Sequence, residues 1–178
     1  MIKKFAFDKP IVKFAYELLP KEAPYANVIA TIKNKPELLI LVGEADVYSN
    51  GVLVEKKRIE DCYRNGQFKL SLGIDKNIYS NYKSDEQKSI IRSKKIECTR
   101  KIEIRNDYTV SKNVFLFDQL EIKEMKVKLK SLEIDPQNKS KIISSIVNFN
   151  NLECSLEIAE STTAELTVIF KKKIKKQN

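Results

Sequence analysis

Apolar and polar residues alternate along most of the chain with a period of two. The runs are short and set apart by turn-forming residues, the pattern of strands with one buried and one wet face. Ala26 to Ile32 (ANVIATI) is rich in β-branched residues and stops at the breaker cluster Asn34-Lys35-Pro36. LLILVGEADVYS follows as an apolar strand, or a pair of them, that kinks at Gly43. Asn50-Gly51 then marks a two-residue hairpin loop, because a type I′ turn requires positive φ at both central positions. Such a loop pairs Ser49 with Val52, Tyr48 with Leu53 and Val47 with Val54. Asn65-Gly66 makes a second turn and leads into QFKLSLGI, where Phe68, Leu70 and Leu72 alternate with polar residues and Gly73 closes the strand.

The polar stretch NYKSDEQKS reads as a loop or linker. Beyond it, KKIECTRKIEIRND is a long alternating strand with Ile96, Cys98, Ile102 and Ile104 on one side, ending at the turn pair Asn106-Asp107. NVFLFDQL is a denser apolar strand, and KEMKVKLKSLEI leads to a turn at Asp135-Pro136-Gln137-Asn138. LECSLEI and ELTVIF finish the pattern on either side of the polar AESTTA. About nine or ten strands result, spaced at roughly 8–12 residues. Only VKFAYELL and DEQKSIIRS offer a turn or two of helix. This spacing predicts an all-β fold of two immunoglobulin-like antiparallel β-sandwich subdomains in tandem, with little helix. The polar break near residues 80 to 95 divides them into residues 1–85, with the Asn-Gly hairpin, and residues 86–178, with a basic C-terminal tail.

The clustered glycines raise the question of a phosphate-binding loop. That loop needs closely spaced glycines whose amides converge ahead of a helix. Gly51, Gly66 and Gly73 each abut a strand pattern instead, so Asn50, Gly51, Asn65, Gly66 and Gly73 are assigned to structural turns, and no cofactor is expected.

Composition narrows the chemistry further. With 178 residues, 42% hydrophobic and 32% charged, the chain is globular and long enough to bury a core. It contains no histidine, which excludes imidazole-based triads and HExxH metal sites within it. Cys62, Cys98 and Cys154 lack CxxC spacing. Cys98 and Cys154 share parity with buried-type neighbours, so they read as small hydrophobes, with a disulfide between them as the lesser alternative. An odd number of buried thiols leans toward a cytoplasmic setting. Nothing approaches the ~20 apolar residues of a membrane-spanning helix, and the start MIKKFAFDKP lacks the apolar core of a secretory signal.

The formal net charge is +9. It concentrates at Lys126, Lys128 and Lys130, alternating with Met125, Val127 and Leu129 as on a strand with one wet face, and at Lys171, Lys172, Lys173, Lys175 and Lys176. These lysines are the candidate anion-binding residues. A solvated strand face and a frayed tail are the simpler reading.

The segments FAYELLPKEAPYANVIATIKN, LLILVGEADVYSNGVLVEKKRI and FKLSLGIDKNI, followed by RKIEIRNDYTVSKNVFLFDQLEIKEMKVKLKSLE and ELTVIFKKKI, occur in an order that resembles the mucoidy inhibitor A family. They resemble its C-terminal domain of unknown function, which follows a coiled coil and an N-terminal domain. Glu55 stands where the hairpin's second glycine is expected, Glu121 replaces the proline after FDQL, and the tryptophan before the closing strands is absent, with Phe149 nearby. The resemblance is to a divergent member, and it implies no catalytic residues, metal or cofactor.

The leading expectation is therefore a non-catalytic β-sandwich module of a larger protein. It would bind a protein partner or other domains of the same protein, with an exposed edge strand as the natural means. Nucleic-acid or anionic-surface binding through the lysines is the alternative. A weaker one is a hydrolase or carbohydrate site built on Glu44, Asp46, Asp75 and Asp118, since paired acids can run glycoside chemistry. In the plainer reading Glu44 and Asp46 face solvent, Asp75 caps a turn, and Asp118 ends a strand by accepting from backbone amides.

Overall fold

The period-two alternation becomes strand throughout. The computed structural model describes residues 12–34, 39–49, 51–90, 95–120, 127–135, 139–148 and 150–173, and among them there are eleven strands and no helix. They are β1 (Val12–Leu18), β2 (Tyr25–Lys33), β3 (Gly43–Ser49), β4 (Val52–Ile59), β5 (Gln67–Ile90) and β6 (Lys95–Asn106), then β7 (Lys112–Gln119), β8 (Val127–Ile134), β9 (Lys141–Asn148), β10 (Asn151–Ile158) and β11 (Thr162–Lys173). Nine form one sheet in the order β8-β11-β6-β5-β2-β1-β7-β10-β9, and β3 and β4 form a two-stranded sheet of their own.

The large sheet is mixed rather than wholly antiparallel, because Tyr16, Glu17 and Leu18 run parallel to Val114, Phe115 and Leu116. These strands are far apart in sequence, so no tight hairpin dictates their relative direction. The other described pairings, β7–β10–β9, β6–β11–β8, β5–β6 and β3–β4, are antiparallel.

The chain divides into two compact units, Met1–Ala15 with Asn27–Ile74, and Tyr16–Ala26 with Asp75–Asn178. Their boundaries fall within β1, β2 and β5, and position 85/86 lies inside β5. In the second unit, Cys98, Ile102, Ile104, Leu166 and Phe170 from one end of the sheet share a single buried cluster with Leu116, Leu152, Cys154 and Leu156 from the other. The two arms therefore face each other as the layers of a sandwich, and each fully buried Leu, Ile or Phe contributes about 1.5–3 kcal/mol. None of the three cysteines forms a disulfide, and all are buried.

The first unit buries Ile29, Ala30, Ile40, Val47, Cys62 and Leu70. Its turn at Tyr63–Gly66 closes with the Gly66 N–H donating to the Tyr63 carbonyl at 2.9 Å, and Asn65 takes φ 62° there. Buried Asn34 clasps that turn, donating from Nδ2 to the carbonyls of Cys62 and Tyr63 and from its backbone to that of Gly66.

Three local expectations are corrected. The polar stretch NYKSDEQKS is not a linker, and neither VKFAYELL nor the described part of DEQKSIIRS is helical. β5 runs unbroken through Gly73, at φ 93°, to Ile90 and pairs with β6 from Ile78 to Ile90. What holds so polar a strand is its ladder and cross-strand charge, as in the 2.7 Å Lys83–Glu103 pair, not a continuous apolar face.

The hairpin register also differs beyond its first two pairs. Ser49 opposes Val52 and Tyr48 opposes Leu53, but a bulge then sets Val47 opposite Glu55, with Val54 as the extra residue. Without the bulge Asp46 would face Glu55. With it, Asp46 faces Lys56 and Glu44 faces Arg58. Asn50 lies outside the described residues, while Gly51 takes φ 80°.

Gly66 is the glycine with no room for a side chain, since a Cβ there would sit 2.9 Å from the Tyr63 carbonyl oxygen and 3.1 Å from Cys62 Sγ. Gly66→Ala is expected to cost about 1–3 kcal/mol, whereas Gly43→Ala, whose nearest atom is 4.0 Å away, should change stability by less than about 0.5 kcal/mol. Urea midpoints of the two variants check the contrast.

Candidate functional site

Alternation on β7 turns Val114, Leu116 and Asp118 inward, and alternation on β6 turns Cys98, Arg100, Ile102 and Ile104 inward from the opposing layer. A carboxylate and a guanidinium thereby meet inside the sandwich. Arg100 Nη1 donates to Asp118 Oδ2 at 2.6 Å and to the Gln119 carbonyl at 3.2 Å, while Nη2 donates to Asp85 Oδ2 at 2.8 Å. The Tyr82 hydroxyl donates to the other Asp118 oxygen. The guanidinium also lies over the rings of Tyr82 and Phe170, 5.4 and 5.5 Å from their centroids. The Asp118 side chain is 0% exposed and that of Arg100 6%.

These contacts fix the charges. Burial alone would lower the pKa of Arg100, but Asp118 and then Asp85 outweigh it and raise it above its ordinary value. Tyr82 is raised as well, by burial first and then by its bond to Asp118. Neighbouring Cys154 is pushed up to about 12 by burial and then by the charge of Asp118. Both Asp118 oxygens are occupied by donors, the tyrosine is held neutral and the arginine charged. The cluster joins the two layers through side chains drawn from β5, β6 and β7.

The other acids are also engaged or solvent-facing. Glu44 and Asp46 are exposed on β3, with Asp46 3.9 Å from Lys56. Asp75 accepts from the Asn77 N–H at 2.9 Å, a local cap inside β5, and from the Tyr108 hydroxyl. Asp118 departs from expectation in binding side-chain donors rather than backbone amides. It borders a cavity of about 420 Å³ with Glu22 and Glu153, but its carboxylate is turned away into the core. Among the described residues no group of three or more Cys, Asp or Glu is placed to hold a metal ion.

Among the described lysines, Lys128, Lys130 and Lys171 lie together around Glu97, while Lys172 lies on the other face. Lys128 and Lys130 are exposed on edge strand β8, and Lys171 pairs with Lys128 across the ladder. Glu97 accepts from Lys130 at 3.1 Å and lies 3.5 Å from Lys171. Lys130, ahead of Lys171, holds it below the usual carboxylate range. Lys172 falls on the opposite face from Lys171, as successive strand residues must. The basic run is not frayed up to residue 173, because Lys171–Lys173 continue β11 and pair with Glu97–Lys95. Lys126, Lys175 and Lys176 lie outside the described residues, as does the side chain of Lys173.

Two features escaped the alternation pattern. One is buried Asn106, whose Nδ2 donates to the carbonyls of Val110, Ile158 and Ala159 while its Oδ1 accepts from Tyr108 N–H. Like Asn34 it ends an alternating strand (IEIRN, ATIKN), and that shared asparagine was the available signal. The other is β9, whose sequence KIISSIVN breaks alternation with two serines. Beside it Phe115, Phe117, Ser144, Ile146, Glu153 and Ser155 line a cavity of about 190 Å³.

Removing one partner of the buried pair strands the other charge, so Asp118→Leu or Arg100→Met alone should cost about 3–5 kcal/mol. The double variant is expected to lose well under the sum, as read from urea unfolding. A pH effect follows from Cys154. Its folded thiol titrates above the ordinary 9.0, so the unfolded chain releases that proton first. Its contribution is complete below pH 9 and lost as pH rises towards 12, and Cys154→Ala should make the alkaline decline in the urea midpoint shallower.

No protein-family model matches the chain, and no solved structure matches it. A curated relative, "Protein F37C4.5" of Caenorhabditis elegans, is 29% identical over 82 residues, which make up 46% of this chain and 14% of that protein. Just under half of the chain is thus similar to a small part of a much longer polypeptide.

Proposed function

We propose that this chain is a non-catalytic β-sandwich module of a larger protein, that it works in protein–protein interaction or assembly, and that it is a divergent relative of the C-terminal domain of the mucoidy inhibitor A family. One observation carries the reading of function. Ten of the fifteen large apolar side chains that stand exposed among the described residues belong to the unit comprising Met1–Ala15 and Asn27–Ile74. Leu41, Tyr48, Val52 and Tyr63 are each more than 60% exposed. Tyr48 and Val52 sit on the β3–β4 hairpin, and two strands alone make a marginal sheet that gains from being covered.

Other observations agree. The most deeply buried acid is consumed by structure, which supports a non-enzymatic role. Lys130 and Lys171 are shared with Glu97, which disfavours an anionic ligand on that face. The positive φ of Gly51 and Gly73 supports a structural rather than chemical reason for the family-like VYSNG and LSLGID segments. A match confined to 14% of a long relative suits a module within a larger assembly.

The test is photo-crosslinking from p-benzoylphenylalanine placed at Leu41, at Tyr48 and, as control, at Lys130, in cells making the natural full-length product. Positions 41 and 48 are expected to yield discrete adducts, either to another part of the same protein or to a second protein, while 130 yields none. Absence of adducts at 41 and 48, or equal labelling at all three, would contradict the proposal.

A further inference from the structure

The two edges of the nine-stranded sheet are guarded differently. β8 carries Lys128, Lys130 and Glu133 exposed along its length, the usual defence against unwanted strand pairing. β9 has Lys141 at its start and no charged residue from Ile142 to Asn148, and it leaves Ile143 and Ile146 52% and 57% exposed. A bulge at Ser155/Leu156 disturbs its first residues, but from Ser144 onward the register with β10 is regular.

That regular part borders a shaped cavity. Ser155 lies between Phe115 of β7 and Ser144 of β9, and Glu153 lies between Phe117 and Ile146. Two small side chains in one cross-strand row, with phenylalanines behind and Ile146 beside, leave the cavity of about 190 Å³ noted above, bordered by the edge strand itself. From this we infer that β9 accepts an added strand from a protein partner. The partner is an extended segment with one branched apolar residue seated over Ser144 and Ser155, and a basic residue two positions away on the same face reaching Glu153. Backbone pairing supplies affinity and the alternate side chains supply selectivity. The basic residue follows from charge complementarity, since Glu153 is the exposed acid lining this cavity. A second copy of β9 is the poorer occupant, because pairing about Ser145 brings Ile146 over Ser144 but no cation to Glu153. The inference rests on the reading of the chain as an interaction module but uses a different surface from the apolar unit.

The test uses the full chain and fluorescein-labelled Thr-Val-Thr-Leu-Thr-Lys-Thr-Val-Thr, read by fluorescence anisotropy. Companion peptides carry Lys→Glu, Leu→Asp, or N-methyl groups on alternate amides. The parent peptide is expected to bind saturably and the Leu→Asp and N-methylated forms at least tenfold more weakly. Ser144→Phe, which fills the cavity at an edge position, should weaken the parent peptide at least tenfold with an unchanged urea midpoint. Glu153→Lys should reverse the order of the Lys and Glu peptides, a result that a merely structural role does not produce. Equal binding of the N-methylated peptide, an unreversed order in Glu153→Lys, or a dimer that Ser144→Phe dissociates would overturn the inference. No peptide binding alongside adducts at positions 41 and 48 sinks this inference alone. Peptide binding without those adducts sinks the apolar-unit proposal and supports this one.

Discussion

The Arg100–Asp118 pair is the interaction on which the larger unit depends. One residue comes from β6 and the other from β7, so the pair bridges opposing layers of the sandwich. Two charges out of water are costly unless every donor and acceptor is used, and here Tyr82, Asp85 and the Gln119 carbonyl take up most of the remaining capacity. The aromatic faces of Tyr82 and Phe170 close over the guanidinium. Such a network contributes less to raw stability than to uniqueness, because a slip of β6 or β7 by one residue would turn a charge outward and an apolar neighbour with it.

The same constraint commits the most deeply buried ionisable groups to structure. A residue whose oxygens are both committed cannot turn to a substrate, and a tyrosine raised above its ordinary pKa stays protonated across the physiological range. There are exposed apolar side chains around the β3–β4 hairpin, and there is an edge strand uncharged from Ile142 to Asn148 next to a serine-floored cavity. Both are the surfaces on which the proposed interaction role rests.

Much of the fold was legible because a buried strand face writes itself into the sequence as alternation. KKIECTRKIEIRND, LECSLEI and ELTVIF became β6, β10 and β11 with their apolar parity inward. β5 was not legible beyond Gly73, since NYKSDEQKS is held by its ladder and by ion pairs that depend on residues elsewhere in the chain. The bulge at Val54 was hidden for a related reason: the Asn-Gly signal sets the turn, but the opposite-charge pairing of Asp46 with Lys56 and Glu44 with Arg58 that accompanies the bulge acts across strands. Asp118 was singled out as a polar residue in an apolar strand, and Arg100 sits on the apolar parity of Ile96, Cys98, Ile102 and Ile104, so alternation places both inside, but nothing local pairs one with the other. The direction of β1 against β7 had no local signal at all.

The two arms of the large sheet form one cooperative core fastened by Arg100 and Asp118, and no residue of β3 or β4 belongs to that buried cluster. Native-state hydrogen exchange measures this directly, residue by residue. Amides of β6, β7, β10 and β11 are expected to open with one common free energy, and those of β3 and β4 at a distinctly lower one. Separate opening free energies for β6 with β11 and for β7 with β10 would contradict it.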